Sequence, residues 1–227
     1  MTLTLNGWRP DAIIFDMDGL LVDSEPVWHR AETVLIEARG YPYTPELRAQ
    51  IIGLRLDAIV EVYRGALSFN ETTAELVDEL VGHMLRFIPQ MVRPQPGARE
   101  LLHWVQAQGL PRAIASSSPA AIIDAVVESQ GWAGIFPLRC TADDVPAGKP
   151  APDVYLAAAQ RLGVDPARCL ALEDSTTGAR AAVAAGMVCA AVPDPTHTHP
   201  AHFDGITPLV FSSLRDVLDA LEREQTP

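Results

Sequence analysis

Short apolar runs recur along the chain between longer stretches with helical spacing. Ala12-Ile13-Ile14-Phe15 ends at Asp16, Arg112-Ala113-Ile114-Ala115 at Ser116, and Cys169-Leu170-Ala171-Leu172 at Glu173-Asp174. A weaker run surrounds Leu138-Arg139-Cys140, and Met187-Val188-Cys189-Ala190-Ala191-Val192 stops at Pro193. Apolar runs alternating with helical patterns predict an α/β protein, a Rossmann-like parallel sheet core with helices on both faces. Ligands of such sheets sit outside the carboxyl ends of the strands. Three of the five runs stop there at a polar residue able to do chemistry.

Roughly ninety residues separate the first run from the second, far more than one crossover helix needs. Residues 27–92 read as mostly helical, over 28–38, 45–63 and 73–87, with no strand signal. The exit, Arg93-Pro94-Gln95-Pro96-Gly97, is rich in proline, as a linker is. The expected organisation is a catalytic core of residues 1–24 and 94–227. An α-helical domain, residues 25–93, is inserted after the first strand on linkers near residues 24–26 and 93–97.

Composition narrows the partners. Of 227 residues, 48% are hydrophobic and 20% charged, ordinary for a globular chain. The net charge of −12 comes without any basic stripe, so neither nucleic acid nor an anionic membrane is an expected partner. An anionic ligand then needs local help from a metal ion or fixed donors. Three widely spaced cysteines give no disulfide framework, and Cys169 and Cys189 fall in apolar runs as core residues. The first residues lack a signal-peptide pattern and no long apolar span occurs, so a cytoplasmic protein is expected.

Four motifs carry candidate chemistry. In Asp16-Met17-Asp18-Gly19, carboxylates at i and i+2 just past a strand can share one side and one divalent cation. A carboxylate can also attack phosphorus; alone, the pair reads equally well as solvated aspartates in a turn. In Ser116-Ser117-Ser118-Pro119, Ser118 suits an N-cap and Pro119 the first helical position. The helix over residues 119–130 would then aim N–H groups and its positive end at the site. Ser116, at the strand end, could donate its hydroxyl to a phosphoryl oxygen, and Ser117 is a candidate substrate-binding neighbour, though a serine-rich cap needs no ligand. Lys149 is the one lysine beside 16 arginines. A compact ammonium bridges carboxylate and phosphate where a planar guanidinium does not fit. Glu173-Asp174-Ser175 places adjacent carboxylates at a strand end, tolerable with a cation between them, and a helix over 177–185 follows.

Taken together, Asp16-x-Asp18, Ser116, Lys149 and Glu173-Asp174 resemble the four motifs of the haloacid dehalogenase superfamily. The insert resembles the helical cap of its phosphatase and phosphoglucomutase-like branch. Residues 15–28 and 172–175 are most similar to bacterial 2-deoxyglucose-6-phosphate and hexitol-phosphate phosphatases. The resemblance implies a Mg²⁺-dependent phosphatase acting on a small phosphorylated metabolite, a sugar or polyol phosphate, through an aspartyl phosphate. It implies Asp16 as nucleophile, Asp18 as acid and base, Ser116 and Lys149 on the phosphoryl group, and a metal held by Asp16, Asp18, Glu173 and Asp174. Glu25, Trp28 and Arg55 are the cap residues expected to read the leaving group, and the branch suggests a monomer.

Dehalogenation does not need Asp18, and a phosphonatase needs a cap lysine that residues 25–93 lack. A β-phosphoglucomutase-like transfer is opposed by Trp28, where that branch carries a histidine. Phosphoglycolate hydrolysis is compatible with the same residues, as is a binding protein of this fold without turnover. His197-Thr198-His199 with His202 can bind Zn²⁺ if the rings converge, but its proline flanks read as an irregular loop.

Overall fold

The computed structural model describes residues 7–51, 54–194 and 198–224. Its strands are β1 (Ala12–Phe15), β2 (Val22–Asp23), β3 (Arg93–Pro94), β4 (Arg112–Ser116), β5 (Arg139–Thr141), β6 (Cys169–Glu173), β7 (Val188–Ala191) and β8 (Leu209–Val210). Six of them form one parallel sheet in the order β5-β4-β1-β6-β7-β8. The expected α/β core is therefore present, with β8 an added edge too short to announce itself in the sequence.

Alternate residues of β1 enter opposite layers, as the strand period of two requires. Ile13 and Phe15 join a layer of large side chains with Ile114, Leu170 and Leu172. Ala12 and Ile14 join a layer of small ones with Ala113, Ala115, Ala171 and Cys189. On the large side lie α5 (Ala98–Ala107), α6 (Ala120–Ser129) and α9 (Leu214–Arg223); their apolar stripes fill that layer. On the small side α7 (Asp153–Leu162) and α8 (Thr176–Ala184) present Ala158, Ala159, Ala179 and Ala182, which let these helices approach closely. Cys140, Cys169 and Cys189 are buried and free, as core residues. Among the described residues no helix is long and apolar enough to cross a membrane.

Between β2 and β3 the chain is helical: α1 (Glu25–Glu37), α2 (Pro45–Ala49), α3 (Leu56–Leu67) and α4 (Thr73–Met91). Thr72 and Glu75 form a reciprocal capping box at the start of α4, an arrangement worth about 1 kcal/mol. Residues 45–63, expected as one helix, are two. Ile51, Leu54, Arg55 and Leu56 line a cavity where the two helices meet. The two linkers pair as a short antiparallel ribbon, Val22 opposite Pro94 and Asp23 opposite Arg93. Gln95 ties that ribbon to the turn after β1: its N–H donates to the Leu21 carbonyl at 2.9 Å and its side-chain amide to the Gly19 carbonyl at 3.0 Å.

Candidate active site

A cavity of about 340 Å³ opens at the carboxyl ends of β1, β4 and β6, beneath the helical insert. Asp16 follows β1, Ser116 ends β4, and Glu173 ends β6 with Asp174 next. Their side chains converge because neighbouring parallel strands end together. At the centre, Lys149 Nζ donates to Asp16 Oδ1 and to Glu173 Oε1, each at 2.6 Å. Its side chain is 5% exposed. Although burial favours the neutral amine, Asp16 and Glu173 together hold Lys149 protonated and well above the ordinary lysine range.

Glu173 is fully buried. Besides Lys149, the Tyr155 hydroxyl donates to Oε1 at 2.7 Å, and the Ser175 N–H and hydroxyl donate to Oε2 at 3.3 and 3.1 Å. Ser175 Oγ also accepts the Gly178 N–H at 3.0 Å, capping α8. Gly178 makes room for this: a Cβ there would stand 1.7 Å from Glu173 Oε1. Tyr155 lies on α7 with its ring 5.0 Å from Lys149 Nζ. Sequence reasoning missed it, since a tyrosine in the apolar face of a helix carries no signal of its own.

Asp18 turns toward β4. Its Oδ2 accepts the Ser118 hydroxyl at 2.8 Å and the Ser116 hydroxyl at 3.4 Å, while Oδ1 is buried and accepts no hydrogen bond. Ser118 is thus not the expected N-cap: α6 begins at Ala120 with Pro119 in the cap position and no side-chain cap. The Asp18 carboxylate takes the hydroxyl that the helix would have used. Ser117 is exposed and lines the cavity beside Pro119. Gly19 has φ +87°, and a Cβ there would stand 2.2 Å from Asp174 Oδ2. Glycine is needed both for the turn and for the approach of that carboxylate.

Oxygen atoms of Asp16, Glu173 and Asp174 lie within 4.8 Å of one another. Burial pushes Asp16 up to about 8 and Asp174 well above the usual carboxylate range, the neighbouring carboxylates adding to the rise and Lys149 opposing it. Three clustered carboxylates here share one ammonium. This all-oxygen donor set fits a hard divalent cation such as Mg²⁺.

The insert's candidates are placed unevenly. Trp28 is half-buried in the cavity wall. Glu25 also lines it, but is in an ion pair with Arg48. Arg55 packs over the loop before Lys149, where a Cβ on Gly148 would stand 3.3 Å from its Cδ and Nη1. Glu32 and Arg48 line the same wall and were not anticipated. His197 lies outside the described residues; His199 and His202 use Nδ1 to accept backbone N–H groups of their own turn.

A family model described as haloacid dehalogenase-like hydrolase matches residues 10–186. The chain is 36% identical over 186 residues to hexitol phosphatase B of Escherichia coli (strain K12), covering 81% of this chain and 84% of that protein. It is 30% identical over 177 residues to a phosphorylated carbohydrates phosphatase of Thermotoga maritima, covering 78% and 82% respectively. Among solved structures, a putative β-phosphoglucomutase from Thermotoga maritima superposes with a TM-score of 0.78 at 27% identity. That match covers 93% of this chain and 98% of the other.

Proposed function

Because the chain belongs to the haloacid dehalogenase-like hydrolases, we propose that it is a Mg²⁺-dependent phosphatase of sugar or polyol phosphates in which Asp16 is the nucleophile. The observation that carries this reading is the buried chain Asp16–Lys149–Glu173, linked by two 2.6 Å contacts at the mouth of the parallel sheet. Asp16, Asp174 and the Asp18 backbone carbonyl would hold Mg²⁺, with Glu173 assisting directly or through water. When bound, the ion supplies positive charge that keeps Asp16 ionised and offsets charge on the phosphoryl oxygens.

Asp16 attacks phosphorus in line, forming an aspartyl phosphate as the bond to the leaving alkoxide breaks. Lys149 is fixed by Glu173, so its ammonium already stands beside the attacking oxygen and requires no reorganisation as equatorial charge accumulates. The Ser116 hydroxyl and the N–H groups at the start of α6 complete that stabilisation. Asp18 protonates the leaving oxygen, then takes a proton from the water that hydrolyses the aspartyl phosphate. Its Oδ2 is held by Ser118, leaving Oδ1 free for the proton. Helices α1–α4 act as a cap excluding water, hinged on the β2–β3 ribbon. The names of the two phosphatase relatives support a carbohydrate-derived leaving group.

Phosphate release from p-nitrophenyl phosphate with Mg²⁺ tests the assignment. Wild type is expected to turn over, and Asp16→Asn to lose roughly three orders of magnitude or more. An inactive wild type, or an Asn variant as active as wild type, would sink it. A phosphate-release screen over phosphorylated metabolites then identifies the leaving group.

A further inference from the structure

On the insert's side of the cavity, Glu32 of α1 is 3% exposed and yet lines the wall. A carboxyl so placed is costly to ionise unless paired. The Tyr43 hydroxyl donates to its Oε2, and Arg48 Nη1 lies 4.0 Å from the same oxygen. Arg48 is also held through Nη2 by Glu25. An arginine shared by two carboxylates has no surplus charge for a second anionic group on a ligand. Around the pair the wall carries Trp28, Ile51, Leu54 and Ile59, while Arg55, the other arginine of the cavity, lies 3.7 Å from Asp57 and packs on the Gly148 loop. Acceptors and donors set in an aromatic and aliphatic wall match a molecule that presents hydroxyls on one side and C–H bonds on the other.

We propose that Glu32, oriented by Tyr43 and Arg48, is a specificity-determining residue that binds hydroxyl groups of an uncharged polyhydroxy leaving group. This rests on the phosphatase reading above and names the residues that choose its substrate. Burial pushes Glu32 up to about 7, with the Tyr43 hydroxyl opposing the rise. Near neutral pH the group therefore exists in both its donor and acceptor forms. Either form bonds a hydroxyl, whereas a carboxylate or second phosphate meets Glu25 and Glu32 with their arginine already shared between them.

The test compares kcat/KM for a hexitol 6-phosphate, phosphoglycolate and p-nitrophenyl phosphate. Wild type is expected to favour the hexitol phosphate over phosphoglycolate at least tenfold. In Glu32→Leu the ratio of hexitol phosphate to p-nitrophenyl phosphate is expected to fall at least tenfold, mainly through KM. Glu32→Gln, which keeps both hydrogen-bonding functions, is expected to restore most of that ratio. Should Glu32→Leu fail to fold, the partly exposed Arg48→Met carries the same expectation. A wild-type preference for phosphoglycolate, or a ratio that does not move because both substrates suffer equally, overturns the proposal and leaves the phosphatase reading intact. A wild type inactive on every ester sinks the phosphatase reading instead. Calorimetric binding of the hexitol phosphate to Asp16→Asn, with and without Glu32→Leu, then decides the subsite separately: equal affinities overturn it.

Discussion

Gly178→Ala sets helix propensity against the geometry of the site. Gly178 is the third residue of α8, and replacing a helical glycine by alanine ordinarily stabilises by about 1 kcal/mol. Here a Cβ would lie 1.7 Å from Glu173 Oε1 and 2.0 Å from its Cδ, well inside any van der Waals contact. The carboxylate must move, and Lys149, Tyr155 and Ser175 all depend on its place. Breaking a buried ion pair costs about 3–5 kcal/mol, so the variant is expected to be about 2–4 kcal/mol less stable despite its better propensity. For a chain of this size that corresponds to a fall in Tm of roughly 4–16 °C. Turnover should fall at least a hundredfold as Lys149 loses one of its two anchors. Thermal melting and p-nitrophenyl phosphate hydrolysis measure both effects. A Gly178→Ala protein that melts at or above wild type and turns over within threefold of it would refute Glu173 as the anchor of Lys149.

Three further outcomes follow from the same geometry. Tyr155→Phe removes one hydrogen bond to Glu173 but keeps the ring beside Lys149, so a loss of about 1.5–3 kcal/mol is expected by denaturant unfolding, with reduced kcat. Glu32 is raised from 4.5 to about 7 in the fold, so its contribution is fully present below pH 4.5 and lost as pH rises through 7. Melting Glu32→Gln and wild type from pH 4 to 8 should show wild type losing up to about 3 kcal/mol relative to the variant, with Tyr43, Tyr63 and Arg48 the facing groups that temper it; parallel profiles would contradict this. Chelation by EDTA should abolish turnover and Mg²⁺ restore it. Mg²⁺ at a hundred times its dissociation constant should stabilise the wild type by about 2.7 kcal/mol and Asp174→Asn far less, as read by the shift in Tm.

How much of this was legible depended on whether a residue's role is local. Asp16, Ser116 and Glu173 were placed by the strands they terminate, because parallel strands bring their carboxyl ends together whatever lies between them. Lys149 stood out by composition, the one lysine among 16 arginines. The residues that escaped act only through partners distant in sequence. Tyr155 means nothing until Glu173 stands 2.7 Å away, and Gly178 reads as an indifferent helix residue until that carboxylate fills its missing side chain. Ser118 was misread because capping is a local rule, and a contact from its hydroxyl to Asp18, spanning 100 residues, outcompeted it. The β2–β3 ribbon is too short for periodicity to detect, yet through Gln95 it ties the insert to the turn carrying Asp18. Lys149 therefore couples two kinds of information: its identity marks it in the sequence, while its function comes from contacts to residues 133 and 24 positions away. A lysine held by both Asp16 and a buried anchor transmits any disturbance of α7 or α8 to the end of β1. That is why substitutions that never touch the cavity, at Gly178 or Tyr155, are the sharper tests of how Asp16 is held.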